Sequence, residues 1–119
     1  MLKKLHTPKK IIMVISPYIA PGVKKINEQD IIDAVCDYFE MDKKVLFERG
    51  NDIAPQRQIA MYIIRMETKL GVVEVGKLFN KHHTTVTFSV NRINELLSIK
   101  EEETTLALKI IYHTLNLNM

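Results

Sequence analysis

No apolar run in this sequence approaches the roughly eighteen residues that a membrane-spanning helix requires. The nearest imitation is Lys3, Lys4, Lys9 and Lys10 followed by Ile11 to Ile15, which has the outline of a signal peptide. The apolar stretch is too short, and Pro17 ends it before any small-residue cleavage site, so a cytoplasmic location is expected. Cysteine is nearly absent as well. Cys36 stands alone, which excludes an internal disulfide and suits a reducing compartment. On an apolar helical stretch it reads as a small core residue rather than a nucleophile. Glycine is scarce, and nothing matches GxxxxGK[ST], so the sequence holds no phosphate-cradling loop and no nucleotide-driven motor. No hydroxyl or thiol has a legible base and oxyanion hole, so we expect no enzyme, no cofactor and no small-molecule substrate.

Acidic residues are missing from residues 1–25, which hold six lysines. Residues 26–48 then carry seven acids against two lysines, and residues 49–100 carry eight bases against four acids. Residues 101–119 return to three acids against one base. The net charge is only +3, but the basic charge sits on a tail and on one internal stretch, the pattern of a nucleic-acid footprint. A solvated surface would show the same excess, so charge alone does not decide. With 46% hydrophobic and 26% charged residues the composition is that of one globular domain, long enough to bury a core without a disulfide or metal.

Three of the four prolines (Pro8, Pro17, Pro21) lie in the first 25 residues, beside the short β-branched run IIMVIS. This segment reads as a basic extended arm, and residues 26–119 as the folded domain. Asn27 with Asp30 three positions later resembles a capped helix start. Ile31, Ala34, Val35, Tyr38 and Phe39 then recur at helical spacing, which predicts a first helix over about 28–40. Asp42 caps a short second helix with Val45, Leu46 and Phe47 on its apolar side, and ERGNDIA is a loop. Pro55 suits the first position of a third helix, whose buried stripe is Ile59, Ile63, Met66 and Leu70, with Ala60, Met61 and Ile64 beside it. Gly71 is expected to stop that helix in a left-handed conformation. A fourth helix over about 73–79 buries Val75, Leu78 and Phe79. A fifth over about 83–100 buries Val86, Val90, Ile93, Leu96 and Leu97. A sixth over about 102–117 places Leu106, Ile110, Ile111 and Leu115 on the core. The class is all-α, with six helices and no repeat.

The informative stretch is VVEVGKLFNKHHTTVTFSVNRI, residues 72–93. A short helix, a tight turn at Asn80-Lys81-His82 and a longer helix make a helix-turn-helix. The second helix opens with Lys81, His82, His83, Thr84 and Thr85, with almost no apolar content. At a helix N-terminus the unpaired N–H groups and the dipole favour phosphate oxygens. Short hydroxyls and imidazoles there let the helix end approach base edges in a major groove. The same residues would also serve as an ordinary capping cluster, and spacing does not separate the two readings. His82 and His83 do not make a metal site, because adjacent helical side chains diverge and no Cys, Asp or Glu follows at i+3 or i+4.

Residues 26–98 resemble the C-terminal DNA-binding domain of the bacterial replication initiator DnaA, a member of the Trp-repressor-like helix-turn-helix superfamily. The resemblance is carried by Pro55, Arg57, Gln58, Ala60 and Met61, by Arg65 and Thr68, and by Glu74, Gly76 and Phe79. It ends on Lys81, His83, Thr84, Thr85, Val86, Arg92 and Ile93. It implies a Trp-repressor-like fold that binds double-stranded DNA at a short asymmetric box, in replication initiation or transcriptional control. Carried over by position, it places Arg57 and Gln58 on phosphates, supported by Arg65 and Thr68. Lys81 and His83 become backbone contacts, His82, Thr84 and Thr85 base readers, and Val72 and Val73 apolar contacts to thymine methyls. Lys69 and Lys77 are expected as further basic contacts to DNA by their charge. Two positions depart from the family. His82 stands where it usually has Asp, and the basic loop before the third helix is shortened so that only Arg49 is left to enter a minor groove. With no motor motif, the sequence reads as the DNA-reading piece on its own. The competing reading keeps the fold but makes it a protein-interaction module that modulates a replication factor through its acidic first and sixth helices. The oligomeric state and target box are not legible.

Overall fold

In a computed structural model, which describes residues 26–48 and 52–119, six α-helices follow one another and no strand occurs among the described residues. They are α1 (Glu28–Phe39), α2 (Lys43–Phe47), α3 (Ala54–Glu67), α4 (Val72–Phe79), α5 (His83–Ser98) and α6 (Glu102–Thr114). The expected basic arm, residues 1–25, and the loop residue Arg49 lie outside the described residues.

Local chemistry explains most of the boundaries. Asn27 Oδ1 accepts from the Asp30 amide at 2.9 Å, and the Asp30 carboxylate reaches back to the Asn27 amide at 3.5 Å. Two otherwise unpaired donors at the start of α1 are thereby satisfied. Pro55 falls one place further in than expected, because Ala54 is the first helical residue of α3. The end of α3 differs from the expectation placed on Gly71. The helix stops at Glu67, where Thr68 turns extended; its hydroxyl donates to the Ile64 carbonyl at 2.7 Å and accepts from the Leu70 amide at 3.2 Å. Gly71 is extended too (φ −83, ψ 178) and opens α4, its amide donating to the Glu74 carboxylate at 3.0 Å. The hydroxyl of Thr68 ends the helix, so no left-handed glycine is needed.

The core is assembled around α3 and α5, the most extensively packed helix pair, with α1 behind α3, α4 against α5, and α6 closing on α1 and α5. Ile59, Ile63 and Ile64 of α3, Val86 and Ile93 of α5, and Ile31 and Val35 of α1 are buried together, joined by Leu46, Val75, Phe79, Leu108 and Ile111. Cys36 lies in this core, and burial pushes its thiol up from its ordinary range, with Asp33 and Asp37 acting in the same direction. Two stripe assignments are corrected. Met66 is 46% exposed and Leu106 is 48% exposed. The buried face of α6 runs instead through Thr104, Ala107, Leu108, Ile111 and Tyr112. Tyr112 is fixed by a 2.7 Å hydrogen bond from its hydroxyl to Glu67 Oε2, which ties α6 to the end of α3. Burial, and then that carboxylate, hold the Tyr112 hydroxyl well above the usual phenol range.

Arg57 is the clearest departure from its expected role. It is only 6% exposed, and its Nε donates to the Leu46 carbonyl at 3.3 Å while Nη2 donates to the Glu48 carbonyl. Those carbonyls belong to the end of α2, a five-residue helix whose last carbonyls have no helical partner. The guanidinium therefore fastens α2 and the start of the following loop to α3, and burial lowers its pKa. We expect Arg57→Ala to destabilise the fold by about 1–3 kcal/mol, since buried carbonyls lose their donors. Urea denaturation with unchanged m-value checks this; a loss near zero would put Arg57 on the surface in solution.

Candidate nucleic-acid interface

The helix-turn-helix is built on one close approach. A Cβ on Gly76 would stand 2.6 Å from the Lys81 carbonyl oxygen, closer than real Cβ contacts come. Any side chain there would push the turn away from α4. The Lys81 amide donates back to the Gly76 carbonyl at 2.8 Å, and the Asn80 amide to Lys77 at 3.2 Å. Asn80 takes the left-handed conformation (φ 55, ψ 46), which asparagine tolerates better than most residues. Three residues thus suffice to reverse the chain, and Phe79 and Val86 are buried on the inner side.

The start of α5 is held by His82. Its backbone is extended (φ −68, ψ 151), and its Nδ1 accepts from the Thr84 amide at 3.2 Å. Nδ1 is also 2.9 Å from the Thr84 hydroxyl. An accepting Nδ1 requires the ring proton on Nε2, so the outward nitrogen of His82 is a donor. The single lone pair of Nδ1 is engaged by the Thr84 amide, so the neighbouring Thr84 hydroxyl keeps both donor and acceptor capacity. A ring N–H and a hydroxyl are therefore displayed on an exposed helix end. Because His82 is a cap and not a helical residue, its ring does not diverge from His83: the two centroids are 4.2 Å apart with a 32° tilt. That corrects the geometry expected for the pair. Among the described residues, no group of three or more His, Cys, Asp or Glu is placed to hold a metal ion.

Around this end the structure sorts the expected site residues. His82, His83, Thr84 and Thr85 are exposed together, with Lys81 half-buried beside them and Lys77 exposed on α4. Val73 is 49% exposed at the start of α4, whereas Val72 is half-buried and packs on the core. Gln58 and Arg65 are half-buried on α3, Thr68 has its hydroxyl occupied within the turn, and Lys69 is exposed. Arg57 is inside. From Val75 to Asn94 the sequence has no acid, and the nearest acids are engaged. Glu74 faces the Gly71 amide, Glu67 holds Tyr112, and Glu95 pairs with Arg92 at 3.4 Å. The surface is left basic and rich in hydroxyls. Sequence reasoning missed Phe88, an exposed aromatic on α5. The available signal was its position one turn after Thr84 and off the apolar stripe.

A short helix, a glycine-dependent turn and a capped second helix with a basic, acid-free end define a helix-turn-helix of the DNA-binding class. The family model for the bacterial dnaA protein helix-turn-helix matches residues 28–93, and the chain belongs to that family. It is 38% identical over 76 residues to the chromosomal replication initiator protein DnaA of Synechococcus sp., covering 61% of this chain and 16% of that protein. To the DnaA of Synechocystis sp. it is 31% identical over 108 residues, covering 87% of this chain and 24% of that one. To the DnaA of Clavibacter sepedonicus it is 39% identical over 71 residues, covering 57% and 15%. The chain thus spans no more than about a quarter of these relatives' length. No helix among the described residues is long and apolar enough to cross a membrane.

Variants at two positions test the local geometry. Gly76→Ala should destabilise by about 1–3 kcal/mol, the usual range for forcing extra volume into a packed site, because backbone and not a flexible side chain must move. His82→Ala should lose about 1 kcal/mol of capping, whereas His82→Asp, another good cap, should lose little. Thermal melts of the three proteins check both; equal melting of the alanine and aspartate variants would mean that His82 does not cap α5.

Proposed function

We propose that this chain binds double-stranded DNA sequence-specifically, with the start of α5 in the major groove, and acts in the control of replication initiation. The observation that carries the reading is the exposed imidazole of His82 beside the Thr84 hydroxyl, at the tip of a helix in a stretch that has lysines and no acid from Val75 to Asn94. Lys77, Lys81 and Lys69 would meet phosphates, with Arg65 and Gln58 contributing from α3. Thr85 and His83 complete the tip, and Val73 offers an apolar contact. Thr68 acts through the α3–α4 turn. Arg57 acts through the end of α2, which it holds to α3, and we assign Arg49 to the adjacent minor groove. Membership of a DnaA helix-turn-helix family supports the same partner.

Binding should need no nucleotide and should fall steeply with salt, since each phosphate contact releases about one counterion. Titration of a labelled duplex across a salt series checks this. Affinity that stays flat with salt, or no binding at low salt, would overturn the reading in favour of a protein partner.

His82 should set the preference at one or two base pairs. An imidazole Nε2–H donates to guanine N7 or O6, whereas the aspartate usual in the family only accepts, as from cytosine N4. Because His82→Asp keeps a cap, it should leave the fold intact and move preference by roughly 1–3 kcal/mol toward the ordinary initiator box. Competition between duplexes differing only beneath the start of α5 reads this out. Equal losses on every duplex would place residue 82 on backbone or solvent.

A further inference from the structure

Among the described residues, Phe88 is the aromatic that the core leaves out. It is 61% exposed, while Phe39, Phe47 and Phe79, with Tyr38, Tyr62 and Tyr112, all pack into or against the core. Its position on α5 follows from the helix repeat. Val86, Ser89 and Ile93 are buried and define the inner face, so Phe88 belongs with Thr84, Asn91 and Arg92 on the outer one. Thr84 lies four residues earlier, about 6 Å along the axis and about 40° around it. The ring therefore stands on the same face as the tip that carries the His82 N–H and the Thr84 hydroxyl, one turn deeper along the helix. A large apolar side chain held in water at this place has no capping or packing role to explain it.

What would cover it is constrained by its neighbours. A protein-docking surface has a contiguous apolar centre. On its helix Phe88 is instead the exposed large apolar side chain among hydroxyl, amide and cationic groups, with Thr84, Thr85, Asn91 and Arg92 exposed around it. The nearest acid on the helix, Glu95, is paired with Arg92. The complementary partner is an anionic surface that presents small, isolated apolar groups between hydrogen-bonding edges. The major groove of DNA has that description, its isolated apolar group being the C5-methyl of thymine.

We propose that Phe88 is a specificity-determining residue that packs on the C5-methyl of a thymine one turn into the groove beyond the base pairs met by His82 and Thr84. The proposal rests on the DNA-binding reading above and adds to it a preference that no hydrogen bond supplies. It also separates Phe88 from Val73, whose exposed side chain is at the start of α4.

The test uses the preferred duplex selected from a random pool, with each thymine replaced in turn by deoxyuridine, which removes the methyl and nothing else. The full chain should lose roughly three- to fivefold in affinity at one or two thymines, the worth of burying about one methyl group. Phe88→Ala should fold as the parent does, as its melting temperature will show, and should bind thymine and uracil duplexes equally at those positions. Val73→Ala should keep the difference. Phe88 is overturned as the reader if Phe88→Ala retains the thymine–uracil ratio, if Val73→Ala abolishes it, or if the parent chain shows no such ratio at any thymine. A parent chain that self-associates through this face, seen as a sedimenting dimer that Phe88→Ala dissolves, would overturn it in favour of a chain–chain contact. In these cases salt-dependent duplex binding survives. Failure to bind any duplex overturns the DNA reading, and this proposal with it.

Discussion

The contact between the Gly76 backbone and the Lys81 carbonyl is the constraint on which the rest of the interface depends. With no Cβ in the way, α4 and the turn close to within reach of a hydrogen bond from the Lys81 amide to Gly76. This leaves only three residues between the helices and fixes the direction in which α5 departs. The departure buries Val86 and Ile93 against α3 and leaves His82, Thr84 and Phe88 outside. A bulkier residue at position 76 would lengthen the turn and rotate all of these together.

Charge and hydrogen bonding reinforce that geometry. Acids are absent from the turn and most of α5, and those at the margins are engaged with an amide, a phenol hydroxyl and an arginine. A positive dipole end and the lysines near it then act in one direction on any anion. The cap also sets what the helix end displays. An aspartate at position 82 would present acceptors only, whereas a histidine whose Nδ1 accepts from the Thr84 amide presents a donor at Nε2.

Arg57 shows how a motif residue can change meaning between sequence and structure. Its place in the family pattern points to phosphate, but here its guanidinium closes the end of α2, donating to the Leu46 and Glu48 carbonyls. A substitution there would act on stability, unlike one at the exposed Lys77.

Helical periodicity by itself determined the all-α class and the number and order of the helices, because each helix buries one stripe against a single core. The stretch from Gly76 through Thr85 marked the turn and the hydroxyl-rich start of α5, while spacing did not separate a capping cluster from a DNA-reading one. The tertiary structure decided what depends on neighbours distant in sequence. Met66 and Leu106 fit their stripes by spacing, but no facing helix covers them. Arg57 looks like a surface cation until α2 is placed beside it. His82 looks like a first-turn helical residue until its extended backbone brings Nδ1 onto the Thr84 amide and stacks it on His83. Phe88 stands off the apolar stripe by spacing, but its exposure is decided only when the inner face of α5 is filled without it. Periodicity records which side chains are apolar; which of them find a partner is settled only by the packing of the other helices.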